Sequence, residues 1–450
     1  MAEQLTIPEL QPLLKTLTAA IQRHVRQQAL RPGVAEYIQH TVSRDFSYGA
    51  DGVTANGGLT GRRVNEVDWT YASLILGREL SQTSEFVEAI AAFENNEPGI
   101  GSTRASNLIS VIVPKILQGE IQNEEQLVVQ VNRYISSFTG SATERAAKVE
   151  LLGLVLEGRE IQLPNCSLRQ TRREDLEKRE YVLSRKPAAI GSPWPGAIAE
   201  ISRVGHANEI HDDIPKLVTM LRLFDVGSVN FSVYWYRTGT PLVGDYDTHH
   251  PGAHVFPSLV YRILVSDEPR LQRFWTTLWS SIPKEFYRPA ATRDVSSLKV
   301  AYERYCAAIL RTDSYEERLA NSMMGLEALF MSDNQELMFR CRLRVARVMS
   351  HLNENPEEVF DRLRDGYDAR NAFAHGDRMS SSKFNAQIKK YGDVEVLFRF
   401  VTNLLRKGLV ASLSIPDGKT SVIQAIDAAL VDPKREASIA ALFCPAATIA

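Results

Sequence analysis

The sequence predicts a mainly α protein in successive parts: a helical N-terminal region over 1–160, a mixed α+β region over 161–297, a five-helix bundle over 298–412, and a tail over 413–450. Three observations predict it. Apolar residues recur at helical spacing through most of the first third, β-branched and aromatic residues concentrate in two runs of the middle, and amphipathic stripes follow one another across short connectors from about 298 onward. The 450 residues are 44% hydrophobic and 24% charged, the composition of an ordinary globular chain with a sizeable core. Lys and Arg number 52 against 54 Asp and Glu, so the net charge of −2 excludes a protein held on DNA or a membrane by bulk charge.

Each part has its own local reasons. After Pro8, tolerated in a first helical turn, Leu10, Leu13, Leu14, Leu17, Ala20 and Ile21 keep helical spacing. SYGADGVTANGGLTGRR (47–63) carries five glycines and interrupts that pattern as a loop. Helical periodicity returns over 68–92, 103–117, 123–138 and 142–157, with no alternating strand pattern and no fixed repeat. The middle opens on RQTRREDLEKRE (169–180), whose mixed signs indicate a solvated face or linker, and continues into KPAAIGSPWPG (186–196). KLVTMLRLF (216–224) reads as a helix, and VNFSVYWYRTG (229–239) and HVFPSLVYRILV (254–265) as strands.

The bundle helices are expected over 298–311, 315–331, 335–352, 356–374 and 384–412. Asp313 or Ser314 is placed to cap the second, with Glu316 and Glu317 in its first turn. Leu319, Met323, Leu326 and Phe330 form one apolar stripe; Leu337, Cys341, Val345, Val348 and Leu352 form the next. Gly376 stops the fourth helix and SSSK (380–383) is a connector. In the tail, VIQAIDAALV (422–431) is helix-like.

The end of the fourth helix carries the residues with the clearest chemistry. Arg370 and His375 are five positions apart, which separates their side chains by about 140° on an ideal helix. Spacing alone therefore suits a structural role, with Arg370 paired to Asp368 or Glu327 and His375 closing the last carbonyls before Gly376.

The segment 298–412 resembles a HEPN domain of the Apea-like branch, which would make the bundle a HEPN-type five-helix bundle. Arg370, Asn371 and His375 match that family's signature of an arginine, a polar residue and a downstream histidine at the end of a bundle helix. His375-Gly376 matches the branch's HG pair, and NSMMGLEALF (321–330) followed by MFRCRLRVARVMS (338–350) is similar to its earlier helices. KLVTMLRLFDVGSVNF (216–231) is similar to a segment found upstream of such domains. The resemblance implies metal-independent, cofactor-free RNA cleavage that leaves 2′,3′-cyclic phosphate ends. Attack by a ribose 2′-hydroxyl needs a base, an acid and a cation over the phosphorane. A histidine supplies proton transfer and an arginine the cation, with Asn371 in support. One histidine does not serve easily on both sides of the phosphate, so a homodimer through the bundle is implied. The branch also implies a toxin or antiviral-defence effector, with 1–297 regulating it or binding an unknown trigger.

Arg340, Arg344 and Arg347 share one face of the third bundle helix and are candidate RNA-backbone contacts; the alternative is a solvated face with Arg340 paired to Glu336. His206, His211, His249, His250 and His254, with Asp212, Asp213, Asp245 and Asp247, admit a metal-dependent hydrolase, although no spacing matches a metal signature and a histidine-bearing loop is the alternative. A non-catalytic dimerisation or RNA-binding module is the other rival. Cys166, Cys306, Cys341 and Cys444 are too scattered for a zinc ribbon or disulfide framework. MAEQLTIPEL has no basic or apolar leader and no run reaches membrane-span length, so a cytoplasmic chain without membrane partners is expected. DGKT (417–420), GIGSTR (99–104) and the absent GxSxG complete neither a nucleotide-binding loop nor a hydrolase elbow.

Overall fold

A computed structural model of the chain describes residues 33–49, 52–68, 143–158, 160–176, 195–205, 207–237, 245–249, 259–287, 295–310, 314–333, 335–415 and 418–447, with isolated positions between 82 and 130. The described residues are mainly helical, with an antiparallel sheet in the middle.

Two strands, β1 (Gly33–Gly49) and β2 (Gly52–Asp68), form an antiparallel hairpin in register from Gly33–Asp68 to Gly49–Gly52. This corrects the reading of 47–63 as a loop within a helical region. Gly49 and Gly52 are the last paired residues of the hairpin, and Gly57, Gly58 and Gly61 lie inside β2. Glycine punctuates a tight hairpin as readily as it ends a helix. Ser84, Lys115, Glu125, Gln126, Val129 and Gln130 are helical, within the ranges expected to be helices.

The second correction falls at 142–157, expected as a helix. It forms β3 (Thr143–Leu152) and β4 (Leu154–Leu156), separated by Gly153 at φ +74°. With β5 (Glu160–Leu163), β6 (Cys166–Gln170), β7 (Ala197–Gly205), β8 (Asn230–Arg237) and β9 (Asp245–His249), β3 builds a six-stranded antiparallel sheet in the order β5-β6-β7-β3-β8-β9. Val149, Leu151 and Leu152 of β3 are fully buried, and so are Ala197, Ile198 and Ala199 of β7. In β3 the charged residues Glu144, Arg145, Lys148 and Glu150 interrupt the apolar ones without strict alternation, and Leu151–Leu156 is almost wholly apolar, so periodicity does not separate this stretch from helix. β4 pairs in parallel with the short β10 (Tyr261–Ile263); of the strand expected over 254–265, residues 259–265 are described and only these three are strand, Val265 beginning a helical turn. Two helices, α1 (Ala207–Phe224) and α2 (Glu268–Leu278), pack beside the sheet.

In the charge run at 169–180, Arg172, Arg173 and Glu174 are exposed as expected, while two of its charged residues depart from that solvation. Arg169 and Asp175 are 3% and 8% exposed and joined by two hydrogen bonds of 2.6 and 2.8 Å, while Arg169 Nε donates to Glu200 at 2.9 Å. Burial tends to raise the Asp175 carboxyl, but hydrogen bonds from Arg169 and the Arg172 amide hold it below the usual carboxylate range.

From 297 the chain forms α3 (Ser297–Leu310), α4 (Tyr315–Phe330), α5 (Leu337–Ser350), α6 (Pro356–Ala374), α7 (Ser381–Tyr391), α8 (Val394–Leu413), α9 (Lys419–Val431) and α10 (Glu436–Ala447). Ser314 caps α4 by accepting from the Glu317 amide, and both expected stripes line the core, with Leu337 at its margin. The single helix expected over 384–412 is two helices. Gly392, at φ +79°, ends α7, and Asp393 caps α8 by accepting from the Glu395 amide. Six helices therefore occupy 297–413, not five. α4 is their hub, packed against α3, α6 and α8.

The sheet region and the helices share one continuous core. Arg406 of α8, 3% exposed, donates through Nη1 to the carbonyls of Leu223 and Phe224 at 2.9 and 3.1 Å, satisfying the C-terminus of α1.

Candidate functional site

The end of α6 is built by a chain reversal. Gly376 adopts φ +71°; its amide donates to the Phe373 carbonyl at 2.9 Å, and the Asp377 amide donates to the Ala372 carbonyl at 2.9 Å. This paired closure is a Schellman motif, with a left-handed glycine just past the last helical residue. It fixes His375 as the C-cap residue, with its imidazole exposed and no described residue hydrogen-bonded to the ring.

Arg370, more than one turn earlier, points to the other side. Its Nε lies 3.2 Å from Glu327 Oε1 on α4, and its Nη2 donates to Glu327 Oε2 at 3.3 Å. Between Asp368 and Glu327, the structure selects Glu327; Asp368 instead accepts from Lys383 of α7 at 2.6 Å. The Glu327 side chain is 13% exposed and that of Arg370 25%, so the guanidinium retains an open edge. Asn371 is exposed, with its Oδ1 3.5 Å from Arg370 Nη1. Arg370 and Asn371 thus lie side by side near the end of α6, with the cation anchored on Glu327, and His375 closes the same helix end with a free imidazole that is hydrogen-bonded to neither.

Two inward residues lie close to the ion pair: Tyr367, which was not singled out in the sequence, and Cys341, which was read only as part of an apolar stripe. Burial, with Cys341 and Glu327 nearby, pushes the Tyr367 hydroxyl far up. Burial likewise pushes the Cys341 thiol up to about 12, with Tyr367 opposing. Neither group ionises near neutrality, so neither supplies a nucleophile. A tyrosine and a cysteine on apolar stripes give no local signal that they back a surface arginine.

The basic face of α5 is divided by the fold. Arg340 is bonded to Asp333 at 2.7 Å, not to Glu336. Arg344 is 2% exposed; its Nε and Nη2 donate to the two carboxylate oxygens of Asp427 at 2.7 and 2.6 Å, and its Nη1 to the Phe330 carbonyl at 2.9 Å. Arg347 pairs with Glu436. Arg344 therefore sits under α9 as a buried structural contact, which corrects its placement on an exposed RNA-facing stripe. Arg340 and Arg347 stay partly exposed but carry acidic partners.

Of the histidine group, His206, His250 and His254 lie outside the described residues, as do the side chains of His211 and His249. Among the described residues, no group of three His, Cys, Asp or Glu side chains forms a metal site. Among them also, no helix is long and apolar enough to cross a membrane. Compared with protein families, curated proteins and solved structures, the chain matches none.

Proposed function

We propose that the chain is a metal-independent endoribonuclease of the HEPN type, with the end of α6 as its reactive edge. The observation that supports this reading most is an exposed imidazole at His375 on the same helix end as a partly exposed Arg370 guanidinium held by Glu327. In this reading Arg370 uses its open edge on a phosphate oxygen. His375 moves the proton of the 2′-hydroxyl or of the leaving 5′-oxygen, and Asn371 hydrogen-bonds the phosphate. A second copy of the chain supplies the second histidine across a two-fold axis, so base and acid lie on opposite sides of the phosphorane. Substrates without a 2′-hydroxyl are inert by this mechanism. The region before 297 restrains the bundle or receives a trigger, in the manner of a toxin or antiviral-defence effector.

A second reading, a non-catalytic module for dimerisation or RNA binding, draws support from the same ion pair, because Glu327 already satisfies the charge of Arg370.

The test is cleavage of RNA and DNA by the purified chain in EDTA, with His375→Ala and Arg370→Ala alongside. The nuclease reading expects RNA cleavage alone, 2′,3′-cyclic phosphate ends, and a loss of about 10²-fold or more in each variant. Equal cleavage by all three proteins removes the end of α6 from catalysis. Should the wild type be silent, growth inhibition on expression is compared; equal growth with wild type and variants favours the module.

A further inference from the structure

A cleft of about 700 Å³ opens between the C-terminal half of α1 and the face of α3 that carries Lys299, Glu303 and Arg304. Its charges are not balanced from within. Lys299 Nζ lies 3.3 Å from Glu303 Oε1, which cancels that pair. Arg222 is half-buried and meets only neutral acceptors: Nε donates to the Val229 carbonyl at 2.7 Å, Nη2 lies 3.4 Å from Asn230 Oδ1, and Nη1 lies 3.9 Å from Cys306 Sγ. Arg304 is exposed, and its Nη1 donates to Asn321 Oδ1 at 2.9 Å. Among the described residues, neither guanidinium has a carboxylate within ion-pair distance.

Charges withdrawn from water are ordinarily paired, and a cation near a helix C-terminus is compensated by only about half a unit of dipole charge. Half-buried Arg222, offset only in part by the dipole, together with the exposed Arg304 at the rim, leaves the cleft with a positive excess. This excess stands in a chain whose net charge is −2, so it is a local feature and not a general basicity. A phosphate monoester carries about −1.5 to −2 at neutral pH, with three strong acceptor oxygens, whereas a monocarboxylate brings one charge and two oxygens. Planar guanidinium forks suit phosphoryl oxygens, and the volume falls in the range of small-molecule sites.

We propose that this cleft binds a small phosphate monoester, with Arg222 as the inner anchor and Arg304 as the outer one. The site is separate from the end of α6 and does not depend on ribonuclease activity.

The experiment is titration calorimetry on the full chain at constant ionic strength with adenosine 5′-monophosphate, adenosine and inorganic phosphate. Saturable binding of the monoester and silence with adenosine are expected. Arg304→Glu should weaken the binding at least tenfold. Arg222→Met should do the same if it folds; Arg304 is exposed, so its variant tests the site even where Arg222→Met does not fold. The proposal is overturned by no saturable monoester binding up to about 10 mM, by equal binding of adenosine, by binding of inorganic phosphate alone, or by full affinity in Arg304→Glu.

Discussion

Arg344 and Arg340, four residues apart on α5, show how far one residue type can differ by place. The guanidinium of Arg344 is 2% exposed, and its two-pronged contact with Asp427 is shared with the Phe330 carbonyl. Removing the carboxylate leaves a buried cation held by the Phe330 carbonyl and a weak contact to the Met331 sulfur. Loss of one partner from a fully buried pair costs about 3–5 kcal/mol. Asp427 is itself half exposed, so water screens part of the loss, and Asp427→Ala is expected to cost about 2 kcal/mol by denaturant titration. Arg340→Ala, which breaks only the surface pair with Asp333, should leave the denaturation midpoint unmoved. The sequence marks both positions as basic and does not separate them, because the residue that buries Arg344 is 83 positions away. At the end of α6 it does better. The arginine, the asparagine and the histidine are all legible, as is Glu327 as one of two possible partners.

At the scale of elements, glycine decides where helices meet and where they end. A Cβ on Gly325 of α4 would stand 2.5 Å from a Leu405 methyl of α8, so the two helices approach through the missing side chain. Alanine is the better helix former by about 1 kcal/mol. Overpacking costs about 1–3 kcal/mol, so Gly325→Ala should be net destabilising in a melting experiment. Gly376 is the opposite case. Nothing lies within 4 Å of its would-be Cβ, and the cost of Gly376→Ala comes from its φ of +71° alone, about 1 kcal/mol. Faster amide exchange at Gly376 and Asp377 should accompany it, since these two amides close the helix end beneath His375. The stop at Gly376 is legible as a glycine after a helical run, whereas the break at Gly392 hides within a stretch that keeps helical periodicity on both sides.

Across the whole molecule, ion pairs tie segments that are distant in sequence. Asp365 of α6 accepts from Lys390 Nζ at 2.7 Å and Tyr391 Oη at 2.6 Å on α7, and Asp175 and Glu200 converge on Arg169 in the sheet region. Burial opposes ionisation at all three carboxyls, but their hydrogen-bonded and charged partners hold each below its ordinary value. A carboxylate with a depressed folded pKa binds fewer protons folded than unfolded, so it adds stability above its unfolded pKa of about 4 and loses that stability as pH falls through the folded value. Unfolding midpoints measured from pH 7 downward should therefore hold until about pH 4 and then fall. In Asp365→Asn that fall should be shallower, because one of these contributors has been removed. Both regions should melt together, because Arg406 and the shared core join α8 to the end of α1.

By itself the sequence determined the four helices over 298–374 with two apolar stripes and the Ser314 cap, the helix-like run at 422–431, the strand at 230–237, and the positions of Arg370, Asn371 and His375. These are local properties, set by periodicity, capping chemistry and residue type within a few turns. Tertiary structure alone decided that 143–156 is strand, that Arg344 is internal, that Glu327 takes Arg370, and that Arg222 and Arg304 face one cleft. Each of those depends on a partner far along the chain. A stretch such as 143–152, whose apolar and charged residues keep neither period strictly, suits a helix or a strand equally, and a charged side chain is defined by its neighbour in space.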